Sequence, residues 1–432
     1  MRILKYNAGV VCAAIAAAVI GLTSCRPAGS PNSHSANSQS TQPKPSTLPP
    51  VLARHPQLQQ GSVNFAVRLL QQILEERPND NFCVSPLDVQ LGLSLLLNGL
   101  QAQGYQEVAD ALGYGELTLA EVNAFQRAVW EQVHAESDAY EVRQAIALYT
   151  VAPYRWTAAV KQQAQDWYPA AFYELESASL PQQIGQVQSW LQEQTKNRVA
   201  LSPELWQQIA AYPTLAGIVS ALFLKADWEQ PLGVAPPIEF RTADGRKRLV
   251  DAMAHRYERL PYLEERDFEA IALPYRGGQL RFYLFLPREG VSLRQWARQL
   301  DAARWRAWRE RFKERAVELH MPKFEVSSEL DLRDALQQMG IQQVFRDGGL
   351  RGVIEGAEKG GYIGLWAQQA TLRVDARGTE AAAGTAITAF VQDYGTVQIR
   401  VDRPFLFAIV HEPTGLILFT GVVHALPATA QR

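Results

Sequence analysis

The sequence predicts an α+β fold. Helical apolar spacing is concentrated in the first half of the folded region, and short runs of β-forming residues dominate the second. The regular strand–helix alternation of a parallel α/β sheet is not present. Composition is the third observation: of 432 residues, 47% are hydrophobic and 20% charged, enough apolar side chain for a large core. This balance excludes a disordered, a collagen-like or a multi-span membrane chain. A formal net charge of −2 does not suit a dedicated nucleic-acid binder, because a phosphate backbone selects a strongly basic surface. No nucleic-acid partner is expected.

Residues 1–24 read as an export signal: Arg2 and Lys5 at the start, an apolar run over 8–20, then small residues. The run is too short to cross a bilayer as a mature helix. Leu22-Thr23-Ser24-Cys25 resembles the lipobox of bacterial lipoproteins, which implies cleavage before Cys25 and acylation of Cys25. Cleavage removes Arg2 and Lys5 and no acid, moving the balance from −2 to −4. Cys12 leaves with the signal, so Cys83 has no partner and no intrachain disulfide is expected. From the lipidated Cys25 to 58, the chain is rich in Ser, Pro, Gln and Asn without apolar periodicity, and is expected to be a disordered tether. Such an anchored tether holds a folded domain off a membrane surface. The folded domain is expected over 59–427, with a short tail at 428–432.

Within the domain, Ser62 is positioned to cap a helix carrying Phe65, Leu69 and Ile73 on one face and ended by Pro78. Pro86 opens a second helix with Leu87, Leu91 and Leu95, ended by Gly99. The segment 188–194, with Trp190 and Leu191, is a third. Strands are expected over 221–225, 268–273, 280–286, 317–321, 405–410 and 416–423. Pro413-Thr414-Gly415 is a turn that makes the last two a hairpin. Aromatic and basic residues interleave over 296–315 (Trp305, Arg306, Trp308, Arg309, Arg311, Lys313, Arg315). Glu310 and Glu314 between them favour a solvated amphipathic helix over a polyanion site.

Enzyme signatures are missing. There is no Gly-x-Ser-x-Gly, His-Glu-x-x-His, Walker loop or Cys-x-x-Cys. The seven histidines lack metal-ligand spacing, and the glycines over 348–364 lack the strand–turn–helix setting of a phosphate loop and read as turns. No metal or cofactor is expected. One segment fits no ordinary loop. Residues 378–391 carry a single charge, Glu380, among mostly small side chains. At the two-residue period of a strand, one face holds Thr379, Ala381, Ala383, Thr385, Ile387 and Ala389 and no charge. The other holds Glu380, Ala382, Gly384, Ala386, Thr388 and Phe390. The first face can be buried without stranding a charge, which costs several kcal/mol. Small side chains also slip between existing strands without the overpacking that costs about 1–3 kcal/mol per site.

Gly378-Thr379-Glu380-Ala381-Ala382-Ala383 resembles the hinge of the serpins, the serine protease inhibitor family. The likeness extends in order along the domain. Asn81-Phe82-Cys83-Val84-Ser85-Pro86, Thr195-Lys196-Asn197-Arg198-Val199 and Phe223-Leu224-Lys225-Ala226-Asp227-Trp228 resemble family segments. So do Leu273-Pro274-Tyr275, Leu286-Pro287, Pro322-Lys323-Phe324 and Arg403-Pro404-Phe405. The resemblance implies three β-sheets, about nine helices and an exposed reactive loop between the hinge and Arg403-Pro404-Phe405. It implies a monomeric inhibitor, not an enzyme, whose partner is a serine protease. The protease cleaves the loop, is held as an acyl-enzyme, and is disabled when the loop inserts into the central sheet. Inhibitory members need small, uncharged residues on the inserting face, as the hinge residues Ala381 to Thr385, including Gly384, provide.

The family's loop length, counted from Gly378, places the scissile bond between Gln392 and Asp393. Cleavage after Val391 would suit an elastase-like pocket, and cleavage after Phe390 or Tyr394 a chymotrypsin-like one. No Arg or Lys lies between Gly378 and Ile399, so a trypsin-like target is not expected. The resemblance also implies a polar cluster where the central sheet opens. The matching positions are Ser85, Asp88, Ser220 and Gln368, with Trp228 nearby, and Gln368 stands where the family usually has His. A Gln both donates and accepts, so a different hydrogen-bond network with Asp88 is expected there. Ala376 replaces the Glu usual before the hinge.

Overall fold

The computed structural model describes residues 50–135, 137–211, 216–357, 360–379 and 395–429. Among them are eleven α-helices and three sheets. The six-stranded sheet has the order Phe324–Asp331, Ile363–Val374, Gly378–Thr379, Ala216–Asp227, Tyr140–Val151, Ala170–Leu175. A nine-stranded sheet runs Phe82–Val84, Leu416–Val423, Phe405–His411, Leu280–Pro287, Phe268–Pro274, Lys247–Glu264, Lys313–Pro322, Val397–Arg400, and Gly233–Arg241 also pairs with Lys247–Glu264. Ile354–Glu355 and Arg155–Trp156 make the third.

The central strands of the six-stranded sheet are buried on both faces over most of their length. Along Ala216–Asp227, Ile218, Leu222 and Leu224 face the main core. Val219, Ala221 and Phe223 face a second cluster, with Leu180, Ile184, Val187 and Leu191 of the helix Leu180–Gln194. A strand buried on both sides is a continuous apolar run rather than an alternating one. That is why residues 216–220 were not expected to be strand while 221–225 were. Helix Pro86–Leu96 is likewise buried on every residue, wedged beneath the sheet with Ser85 as its N-cap.

Several boundaries differ from those expected. The helix placed after Ser62 spans Pro56–Glu76, preceded by Pro50–Arg54. Ser62 is therefore buried inside a helix and caps nothing. Residues 50–58, expected to belong to the tether, instead form Pro50–Arg54 and the start of Pro56–Glu76, because Val51, Leu52 and Leu58 find places in the core. The helix expected over 188–194 begins at Leu180, its inward residues Leu180, Ile184, Val187 and Leu191 continuing the same stripe. The segment 296–315 is not one solvated helix. It divides into Leu293–Ala297, Ala302–Arg311 and the start of the strand Lys313–Pro322. Trp296 and Trp305 are buried beside Phe268 and Phe285. Phe405–His411 and Leu416–Val423 pair antiparallel as the expected hairpin.

Candidate functional site

The strands Ile363–Val374 and Ala216–Asp227 run parallel and pair directly from Ile363 opposite Ala216 to Thr371 opposite Phe223. Above that point a turn over Asp375–Arg377 returns the chain, and Gly378–Thr379 lies between the two strands, antiparallel to both. Thr379 pairs with Val374 on one side and Ala226 on the other, and Gly378 pairs with Asp227. Glycine is required at 378 by crowding. A Cβ there would sit 2.0 Å from the Ala226 carbonyl oxygen and 2.7 Å from Asp227 Cα.

Aromatic rings hold this two-residue strand. The Tyr275 hydroxyl lies 2.6 Å from Thr379 Oγ1, and neither side chain reaches solvent. Burial pushes the Tyr275 phenol up, so the hydroxyl stays protonated. Tyr275 stacks on Trp228, with ring centroids 4.4 Å apart and planes 12° from parallel. Trp228 Nε1 donates to the Asp375 carbonyl at 2.9 Å, and its backbone N–H to the Arg377 carbonyl at 2.7 Å. Leu232 N–H donates to the carbonyl of buried Ala376 at 2.7 Å. Inside the turn, Arg377 N–H donates to Asp375 Oδ1 at 2.9 Å. Each carbonyl of the turn thus has a fixed donor.

Lower in the same seam a second group forms where Gln368 stands opposite Ser220. Gln368 Oε1 accepts from the Ser85 N–H at 2.7 Å. Its Nε2 donates to the Ser85 carbonyl at 3.1 Å and to Asp88 Oδ2 at 2.8 Å. Asp88 Oδ1 accepts from Gln144 Nε2 at 2.7 Å, and Asp88 N–H donates to Ser85 Oγ at 3.3 Å. Ser220 Oγ is buried without a hydrogen-bond partner, near enough to Asp88 to favour its ionised form. One carboxylate therefore ties the first turn of helix Pro86–Leu96 to the strands Tyr140–Val151 and Ile363–Val374. Burial nevertheless raises the Asp88 pKa, and the Gln144 and Gln368 donors with the nearby Ser220 hydroxyl only partly offset it.

The structure brings Ser85, Asp88, Ser220 and Gln368 together and places Trp228 elsewhere. From Ser220 to Trp228 is roughly 26 Å at about 3.3 Å per residue, and Trp228 belongs to the hinge. Of the hinge, Gly378 and Thr379 are described. Glu380, Ala381, Ala382, Ala383, Gly384 and Thr385 lie outside the described residues, as do Phe390, Val391, Gln392, Asp393, Tyr394 and Cys25. The far end of the loop returns as Val397–Arg400, parallel to Lys313–Pro322 on the other large sheet. Sequence reasoning missed Tyr275 and Gln144 as site residues. Gln144 did leave a signal: it interrupts the inward row Tyr140, Val142, Ile146, Leu148.

The model of the serpin family (serine protease inhibitor) matches residues 60–426. Human neuroserpin is 24% identical over 378 residues, covering 84% of this chain and 91% of the relative. Horse leukocyte elastase inhibitor is 25% identical, covering 84% of this chain and 98% of the relative. The native structure of a thermophilic serpin, tengpin, superposes with a TM-score of 0.75 at 20% identity, over 85% of this chain and 94% of that one. The chain belongs to the serpin family, whose members are in general protease inhibitors and not enzymes.

Proposed function

We propose that this protein is a suicide-substrate inhibitor of secreted serine proteases with elastase-like, chymotrypsin-like or subtilisin-like pockets. The observation that carries the reading is the seated hinge: Gly378–Thr379 already forms the first two residues of a strand between Ile363–Val374 and Ala216–Asp227. In the proposed reaction the protease serine Oγ attacks the carbonyl carbon of Gln392. An ester forms, the bond to Asp393 breaks, and the proton from the serine reaches the new amine. The segment from Glu380 is then no longer held at Val397–Arg400 and extends the strand downward, carrying the acylated protease with it.

Thr379 sets the register of that extension. Each further residue falls opposite one residue earlier on both neighbours. Ala381 meets Leu224 and Leu372, Ala383 meets Leu222 and Ala370, and Thr385 arrives between Ser220 and Gln368. All these positions are buried and, the two polar ones apart, face the main core. Glu380 meets Lys225 and Arg373, both exposed. The only charge of the hinge would thus reach a wet, basic position, while its small residues enter a face with no spare volume. The new backbone pairings form only after cleavage, so the intact fold is held by kinetics rather than equilibrium.

The anchor belongs to the same proposal. Acylation at Cys25 and the tether behind it would place a monomeric inhibitor at a cell surface, facing the periplasm or the exterior. Incubation with elastase, chymotrypsin and subtilisin should give an SDS-stable complex with at least one of them, with a new N-terminus within 391–395. Loop cleavage with neither a complex nor a rise in melting temperature would instead favour a serpin-fold binding or structural lipoprotein. Incorporation of labelled palmitate, lost in Cys25→Ser, checks the anchor.

A further inference from the structure

We propose that the Tyr275 hydroxyl is a positioning group for loop insertion, a latch that keeps the hinge seated so that the inserting strand starts in register. The inference rests on the inhibitory reading above. Thr379 has no exposed surface, and its hydroxyl lies 2.6 Å from Tyr275. Tyr275 cannot swing away freely, because its ring is stacked on Trp228, and Trp228 is pinned by its own N–H groups to the carbonyls of Asp375 and Arg377. Turn, ring pair and hydroxyl form one closed circuit around Gly378–Thr379.

This latch need not open during insertion. Thr379 is already paired on both sides, with Val374 and with Ala226, and a strand extended in that register keeps both pairings. Its effect is on population. An acyl-enzyme whose hinge has left its seat must first find it again, and insertion slows by the fraction of molecules still seated. Hydrolysis of the ester does not wait. An unseated hinge therefore turns inhibitor into substrate without altering how fast the loop is first cut.

The test uses the full chain and whichever of elastase, chymotrypsin or subtilisin the wild type traps. Tyr275→Phe removes the hydroxyl and keeps the stacked ring, while Thr379→Val removes the same hydrogen bond from the other side. Each should raise the number of inhibitor molecules cleaved and released per protease trapped by up to about fivefold, the change in the seating equilibrium expected for loss of one ordinary buried hydrogen bond. The rate of loop cleavage should stay at the wild-type value. The double variant should be no worse than either single one, since both remove one interaction. A merely structural role would lower the melting temperature of the intact protein and leave this ratio unmoved. Wild-type stoichiometry in both folded single variants, or additive effects in the double variant, overturns the latch alone. A wild-type chain that traps none of the proteases overturns the inhibitory reading and the latch with it.

Discussion

At Asp88 a carboxylate is held where water does not reach, among two glutamine amides and the Ser85 cap. Because burial raises its native pKa above the unfolded value of 3.8, the native state binds its proton more tightly than the unfolded chain does. Its contribution to stability is then complete below pH 3.8 and is lost as pH rises through the raised native value. Asp88→Asn, with the Gln144 amide turned to accept, keeps the network without a charge. It should melt above the wild type at neutral pH, with the difference closing as pH falls toward 4. A variant that melts below wild type at pH 7 would mean that its donors outweigh its burial. Glu75 has the opposite sign. Hydrogen bonds from Arg298 and Arg294 lower its pKa from 4.5 to about 2, so its contribution is present above pH 4.5 and fades toward pH 2. Its side chain is 30% exposed, so Glu75→Gln should cost only about 0.5–1 kcal/mol in urea titrations at pH 7 and nothing at pH 2.

The strand register makes two predictions at the scale of the element. Ala381 would land between Leu224 and Leu372, both with almost no exposed surface, where a glutamate has neither room nor partner. Ala381→Glu should convert the inhibitor into a substrate that is cleaved at the normal rate, read as loss of the SDS-stable band. Full trapping by that variant would show that this face is not the buried one. Lys225 and Arg373 are exposed at the positions expected to receive Glu380. Reversing both, Lys225→Glu with Arg373→Glu, should raise the inhibitor consumed per protease, and 1 M salt should shrink the effect because exposed charge pairs are screened. Arg377→Glu, exposed in the turn, is the control and should not. These elements were partly legible beforehand. The alternation of small residues in the hinge, the Ser85-Pro86 helix start and the last hairpin are local patterns. The two-sided burial of Ala216–Asp227 is not, because a strand covered on both faces loses the alternation that marks its length.

For the molecule as a whole, the proposed insertion makes the intact fold one strand short of its lowest free energy. Insertion below Thr379 would replace direct pairing of the flanking strands with pairing on both sides of a new one. At about 1 kcal/mol net per hydrogen bond gained, roughly ten such bonds would raise the melting temperature by about 10 °C or more in a domain of this size. Differential scanning calorimetry of intact protein and of protein nicked in the loop is the direct measurement. Coincident transitions would remove the basis for a kinetically held native state.

The grouping of Ser85, Asp88, Ser220 and Gln368, up to 283 positions apart in sequence, was implied by the family resemblance alone; by itself the chain's order of residues determined the α+β class, the uncharged face of the hinge, the Ser85-Pro86 helix start and the last hairpin. These are local or periodic features, and hydrophobic spacing, caps and turns act over a few residues. Only the tertiary structure decided that Gln144 completes the carboxylate's coordination, that Trp228 belongs to the hinge rather than to that group, and that Tyr275 meets Thr379. Tyr275 and Thr379 are 104 positions apart in sequence, and Gln144 and Asp88 are 56 apart. No spacing rule reaches that far; partners so distant are chosen by the packing of two sheets and a buried helix, where an unpaired polar group is too costly to leave alone.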